Sequence, residues 1–149
     1  MIVGLREAAF EPWPLLAEAA QAMDVTEREA CGASDVFIGT MRAGAGSARV
    51  VRLQLEHYPG MTERMLTRIA VDTRSRWPIR QLVLVHRVGE VLPGETLIVA
   101  AVWSAHRDAA FAACRHLVET VKHQAPFWKR EFRADGTAAW VAANTPARI

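Results

Sequence analysis

Two cationic groupings stand out by residue type and spacing. In "SAHRDAAFAACRHLVETVKHQAPFWKRE", residues 104–131, His106 and Arg107 open a predicted helix, Lys122 lies near its end and Lys129 just beyond. With Ser104 as the N-cap, His106 and Arg107 fall in the first turn. A cation there opposes the helix dipole by up to about 1 kcal/mol, whereas an anion is stabilised. The pattern supports two readings. One is an anion site, in which a phosphate meets backbone N–H groups and these side chains. The other is a pair of solvated cations whose placement Asp108 offsets.

Lys122 follows Val118 at i+4 and flanks the apolar stripe of the helix. In "PFWKREF" the strand period of two puts Phe127, Lys129 and Glu131 on one face, with Trp128 and Arg130 on the other. A lysine between an aromatic ring and a carboxylate is either a catalytic amine or an edge residue whose charged end reaches water. Clustering separates the two, because neighbouring cations depress a lysine pKa and make a neutral amine available as a base. Arg42 closes "FIGTMR" beside a glycine-rich loop, either as a ligand-facing strand end or as an ordinary exit from a core. Cys114 sits on an apolar stripe, and Cys31 has no histidine near it in sequence, so neither thiol is expected to do chemistry. There is no G-x-S-x-G, P-loop or H-E-x-x-H motif.

The elements that carry these residues can be read from periodicity. "IVGLRE" is a predicted strand and "EPWPLLAEAAQAM" a helix with its prolines in the first turn. "DVFIGTMR" is a second strand. "RVVRLQLEHY" is a half-buried third, with Val51, Leu53 and Leu55 inward. "PGMTERMLTRIAVDTRSRW" is an amphipathic helix with Met61, Met65, Leu66 and Ile69 on one face. Strands "RQLVLVHRVG" and "ETLIVAAVWS" follow, joined by the turn "EVLPG". The helix of the opening stretch has Phe111, Cys114, Leu117, Val118 and Val121 as its stripe, and "PFWKREF" and "TAAWV" form a hairpin across "RADG". Hairpin-length connections without a strict βαβ rhythm predict an α+β fold, helices packed on a mixed, largely antiparallel sheet.

At 149 residues the chain is expected to be one domain, 1–149. A net charge of +2 without a dense basic tail argues against nucleic acid as the partner. No basic segment leads into an apolar stretch at the start, and no apolar run reaches the roughly 18 residues of a membrane span. Two distant cysteines without metal-ligand spacing fit a reducing cytoplasm and argue against structural zinc.

The segments "FIGTMR", "LEHYPGMTE", "HRVGEVLPGE", "SAHRDAAF", "VKHQAPFWKRE" and "DGTAAWV" form an ordered set over about two-thirds of the chain. Together they resemble the large, catalytic subunit of molybdopterin synthase, the MoaE family. The resemblance implies an α/β hammerhead-type fold and a homodimer within a heterotetramer. Its partner is a small ubiquitin-like subunit with a C-terminal Gly-Gly thiocarboxylate. Sulfur passes to cyclic pyranopterin monophosphate, opening the cyclic phosphate and forming the dithiolene of molybdopterin, with no metal and no cofactor. By the same resemblance Lys122 and Lys129 are the active-site lysines. Arg42, His106 and Arg107 match anion-binding positions, and Phe37 matches a pocket-lining aromatic. The small, apolar loop "AGAGSAR" and the short tail "NTPARI" depart from the family and carry no assignment. A competing reading is a non-catalytic partner-binding protein that keeps the fold, against which both lysines and the "SAHR" pair argue.

His106 and Lys122 stand sixteen positions apart, about 24 Å on a straight helix. One small phosphate ester does not span that distance, and "DAAFAACRHLVETV" has no Gly or Pro to break the helix. The two groupings are therefore expected to meet only across a dimer interface. Lys122, Lys129 and Arg42 would come from one subunit, His106 and Arg107 from the other.

Overall fold

The apolar run "LVLV" at 82–85 shows no alternation because its strand is covered on both faces. In the computed structural model, which describes residues 1–46 and 49–141, this run lies in β4 (Ile79–Arg87). The other elements are β1 (Ile2–Arg6), α1 (Pro12–Gln21), α2 (Val25–Glu29), β2 (Ala33–Thr40), β3 (Val50–His57) and α3 (Met61–Arg76), followed by β5 (Gly89–Val91), β6 (Thr96–Ser104), α4 (Arg107–Gln124), β7 (Phe127–Arg133) and β8 (Ala138–Trp140). One four-stranded sheet has the order β1-β4-β6-β2, with β1 parallel to β4 and the other pairs antiparallel. Leu82 and Leu84 point to one side, onto α3 and α4 through Leu66, Ile69, Ala113 and Leu117. Val83 and Val85 point to the other, onto Leu15, Leu16 and Ala19 of α1. A strand buried on both faces loses the polar half of its period.

The second sheet is antiparallel, in the order β5-β3-β7-β8. Its own small core comprises Met41, Val50, Leu53, Leu55 and Val91. The predicted mixed, largely antiparallel α+β architecture holds, and its strands divide between these two sheets. The chain passes from one to the other at Gly89, whose φ of 79° favours glycine. The stretch "EVLPG" is thus more than a turn: its first residues belong to β5, paired with β3.

Local corrections have local causes. The register of β3 against β7 shifts between Val50 and Arg52, so Val50 is buried and Val51, expected inward, is 40% exposed. Phe111 is 56% exposed, and the buried stripe of α4 is Ala110, Ala113, Cys114, Leu117 and Val121. Phe111 stands about 100° around the helix from Ala110, off that stripe. Met61 is likewise exposed at the start of α3. Ser104 is the last residue of β6 and the N-cap is His106, because pairing with Ala33 and Ile79 holds Ser104 in the sheet. The short helix α2 was not expected, although "DVTE" spells its capping box: Asp24 accepts from Glu27 N, and Glu27 from Asp24 N. The departing loop falls partly, and the tail wholly, outside the described residues.

The bulge predicts an asymmetry between neighbours. Leu55→Ala should lower the unfolding free energy by about 2–5 kcal/mol, as for a buried leucine. Val51→Ala should change it by no more than about 1 kcal/mol. Urea denaturation of the two variants checks the assignment, which a large loss at Val51 would contradict.

Candidate active site

Lys122 and Lys129 line one pocket at the place where the two sheets approach each other. Lys122 projects from the last turn of α4, where the helix dipole favours a cation. Lys129 sits opposite Leu55 in the β3–β7 ladder, and the pleat puts it on the same face as Phe127. Both Phe127 and Leu55 also line the pocket. Burial lowers the Lys129 pKa from the ordinary lysine value, and the charge of Lys122 lowers it further. The pair therefore divides into a cation at a helix end and an amine pushed toward its neutral form.

Phe37 comes from β2, the edge strand of the first sheet, and is 42% exposed on the pocket wall. Gly39, two residues on, lines the same wall. A Cβ there would stand 2.7 Å from Ile98 Cγ2 and 3.3 Å from the Phe37 ring, so only glycine leaves both in place. Arg42 lies two residues beyond β2, exposed and outside the pocket lining. The apolar strand that it was expected to close ends at Thr40 with a register shift.

His106 and Arg107 do not join the lysines. They line a separate concavity at the other end of α4, together with Gly32, Ala105 and Asp108. The helix runs unbroken from Arg107 to Gln124, so within one chain the two groupings stand about 24 Å apart. His106 makes no side-chain capping bond, and its backbone N–H donates to Ser104 Oγ at 3.4 Å.

His86 is a pocket residue to which the sequence reading gave no role. It is 7% exposed, donates from Nδ1 to the Arg87 carbonyl at 2.7 Å, and stacks on Phe127 with ring centroids 4.1 Å apart. Burial, and secondarily the charge of Lys129, lower its pKa to about 4, although the Arg87 carbonyl pulls the other way. A neutral ring with a proton on Nδ1 leaves Nε2 as an acceptor. The signal was a histidine inside the apolar strand "LVLVHR".

The thiols are shifted away from reactivity. Burial, and then the Asp35 carboxylate, push Cys114 up to about 12, and burial raises Cys31. Among the described residues, no group of three His, Cys, Asp or Glu side chains is placed to hold a metal ion. Among the same described residues, no helix is long and apolar enough to cross a membrane.

Comparison with known proteins points to one family. Residues 13–124 match the MoaE protein family. The chain is 46% identical over 118 residues to a molybdopterin synthase catalytic subunit of Yersinia pestis, covering 79% of this chain and 78% of that protein. It is 40% identical over 141 residues to one of Pseudomonas aeruginosa, covering 95% and 90%. A solved structure, the molybdopterin biosynthesis MoaE protein from Burkholderia ambifaria, superposes with a TM-score of 0.77 at 35% identity, over 98% of this chain and 92% of that one.

The neutral His86 makes stability depend on pH. An unfolded histidine titrates near 6.5, whereas His86 in the fold titrates at about 4. Between these values the unfolded chain binds the extra proton. Its contribution is complete above pH ~6.5 and is lost as the pH falls toward ~4, by roughly 3 kcal/mol in all. Denaturation from pH ~7 to ~4.5 should therefore cost wild type about 2 kcal/mol more than His86→Phe, which cannot titrate. Equal losses in the two proteins would contradict the buried, neutral histidine.

Proposed function

The chain belongs to the MoaE family, and from that premise we propose that it is the catalytic subunit of a molybdopterin synthase, acting as a sulfurtransferase in molybdenum cofactor biosynthesis. Its partner is a small ubiquitin-like subunit whose C-terminal Gly-Gly thiocarboxylate carries the sulfur. Its substrate is cyclic pyranopterin monophosphate. Sulfur transfer opens the cyclic phosphate and builds the dithiolene of molybdopterin. The working assembly is a homodimer of this chain within a heterotetramer, acting in the cytoplasm as one domain over 1–149.

The observation that carries this reading is the pairing of Lys122 and Lys129 in one half-enclosed pocket beside Phe37. A thiocarboxylate arrives as a ready nucleophile, so the chain must supply electrostatic support for a phosphate and a group that moves protons. Lys129, with its lowered pKa, fits the acid/base role, and Lys122 at the helix C-terminus fits the cation facing the phosphate. Arg42 adds a guanidinium for the anion from beyond β2. His106 and Arg107 complete the site from the second subunit, since α4 is straight and too long to bring both of its ends to one small molecule. Cations at the start of α4 then serve as a clamp offered across the dimer to a shared anion.

Lys122→Ala and Lys129→Ala should each reduce product formation by about 10²–10⁴-fold while binding of the small subunit survives. Reconstitution with cyclic pyranopterin monophosphate and a thiocarboxylated partner measures this, and normal turnover in either variant refutes the assignment.

The shared site has its own test. An inactive His106→Ala/Arg107→Ala chain is mixed in equal amount with an inactive Lys122→Ala chain, and subunits exchange. Half of the dimers are then mixed, each with one intact site of two, so activity should return to roughly a quarter of wild type. Activity that stays at the level of the separate variants after confirmed exchange rules the arrangement out.

A further inference from the structure

Phe127 and Lys129 share the inward face of β7, and the side chain stacked on Phe127 is His86 of β4. The two rings are nearly parallel, with an interplanar angle of 17°. His86 is held at its other side by Nδ1–H bonding to the Arg87 carbonyl. That carbonyl is itself fixed. The Arg87 guanidinium turns back and donates from Nη1 to the carbonyls of Arg6, Glu7 and Val88, and from Nη2 to that of Glu90 at 2.6 Å. A buried guanidinium bonded to several carbonyls clamps the backbone where the chain leaves the first sheet for the second. The contacts run from Arg87 through His86 to Phe127, and Lys129 stands two positions further along the same face of β7, lining the same pocket.

We propose that His86 is a positioning residue for Lys129: its neutral ring, anchored on the Arg87 carbonyl and stacked on Phe127, is the wall that keeps water away from the Lys129 amine. The proposal deepens the reading of Lys129 as the acid/base and rests on it. An ammonium that cannot be hydrated is disfavoured against the neutral amine, so the wall sets how readily Lys129 gives up its proton. An aromatic that can take a charge serves this only while it stays neutral, and burial keeps His86 neutral over the working pH range. Among the described residues, the other titratable groups facing Lys129 include Lys122 from α4, Glu131 further along β7, and His57 of β3 opposite Phe127. Glu131 is engaged by Arg133 at 3.3 Å. From β2 and β6 the pocket receives Phe37, Gly39 and Ile98, which carry no charge.

The test reads the Lys129 titration directly, by side-chain NMR of the intact protein labelled in lysine with ¹³C and ¹⁵N, the signal being assigned with Lys129→Arg. His86→Ala opens the wall and should raise the Lys129 pKa by at least about half a unit. His86→Phe keeps a neutral, stackable ring and should leave it near the wild-type value. His86→Asn retains an amide to meet the Arg87 carbonyl but cannot stack, and should behave as His86→Ala does, which keeps the test open if the alanine variant does not fold. In turnover assays the pH profile of the alanine or asparagine variant should shift to higher pH, with restoration in the phenylalanine variant. An unmoved Lys129 pKa in the variants without the ring, or an equal rise in His86→Phe, overturns the proposal. Because the titration is read without turnover, that failure is distinct from an active Lys129→Ala, which would instead refute the role of Lys129.

Discussion

The α4 helix is a rigid spacer, and much of the site's geometry follows from its length. Its 18 residues run without a break, its buried stripe is pinned to the first sheet by Ala113, Cys114 and Leu117, and nothing in it allows a kink. The residues at its two ends are therefore held apart as firmly as the residues of its core are held together. Lys122 belongs to the pocket and His106 and Arg107 do not, by the same packing. A site that uses both ends is reached most directly by bringing up a second copy of the helix, and twofold symmetry then makes every such site twice.

The two ends also differ in electrostatic sense. At the C-terminal end a cation is favoured by the dipole, so Lys122 is compatible with the helix by itself. At the N-terminal end Arg107 opposes the dipole, and Asp108 in the same turn acts in the opposite sense. A bound anion would relieve that opposition, because it meets both the exposed N–H groups and the guanidinium. The unfavourable end is thus the one expected to gain most from an anionic ligand, whereas at the favourable end the dipole already supports a cation.

How far the sequence disclosed this depends on the kind of interaction. Elements whose periodicity is set by one buried face were legible: α3, α4 and the β7–β8 hairpin lie where their patterns put them. So did the pairing of Phe127 with Lys129, which needs only the pleat. The division into two sheets was not legible, because "EVLPG" reads as a turn until β3 is present to pair with Glu90 and Val91. The inward position of Val50 was hidden by a bulge that exists only against β7. His86 was hidden for a related reason. A histidine at the end of an apolar strand is unremarkable until Phe127, some forty positions later, stacks on it. Phe111 misled because hydrophobicity without angular position does not define a stripe.

The chemistry of the pocket is shaped as much by what its residues are kept from doing. Both thiols are shifted upward, Cys114 to about 12, so the chain holds its own sulfur in an unreactive form. Lys129 is shifted downward, and His86 is held neutral beside it. Burial is the first cause of all four shifts, and it acts against whichever form is charged: thiolate, ammonium or imidazolium. Burial therefore has opposite consequences for acids and bases, within the pocket and outside it, since neither thiol is among the pocket's lining residues. It holds Cys31 and Cys114 as thiols and moves Lys129 toward its neutral amine. The proposed chemistry, in which sulfur arrives on a partner's chain end, asks both of the chain: an amine at the pocket that can move a proton, and no reactive thiol of its own.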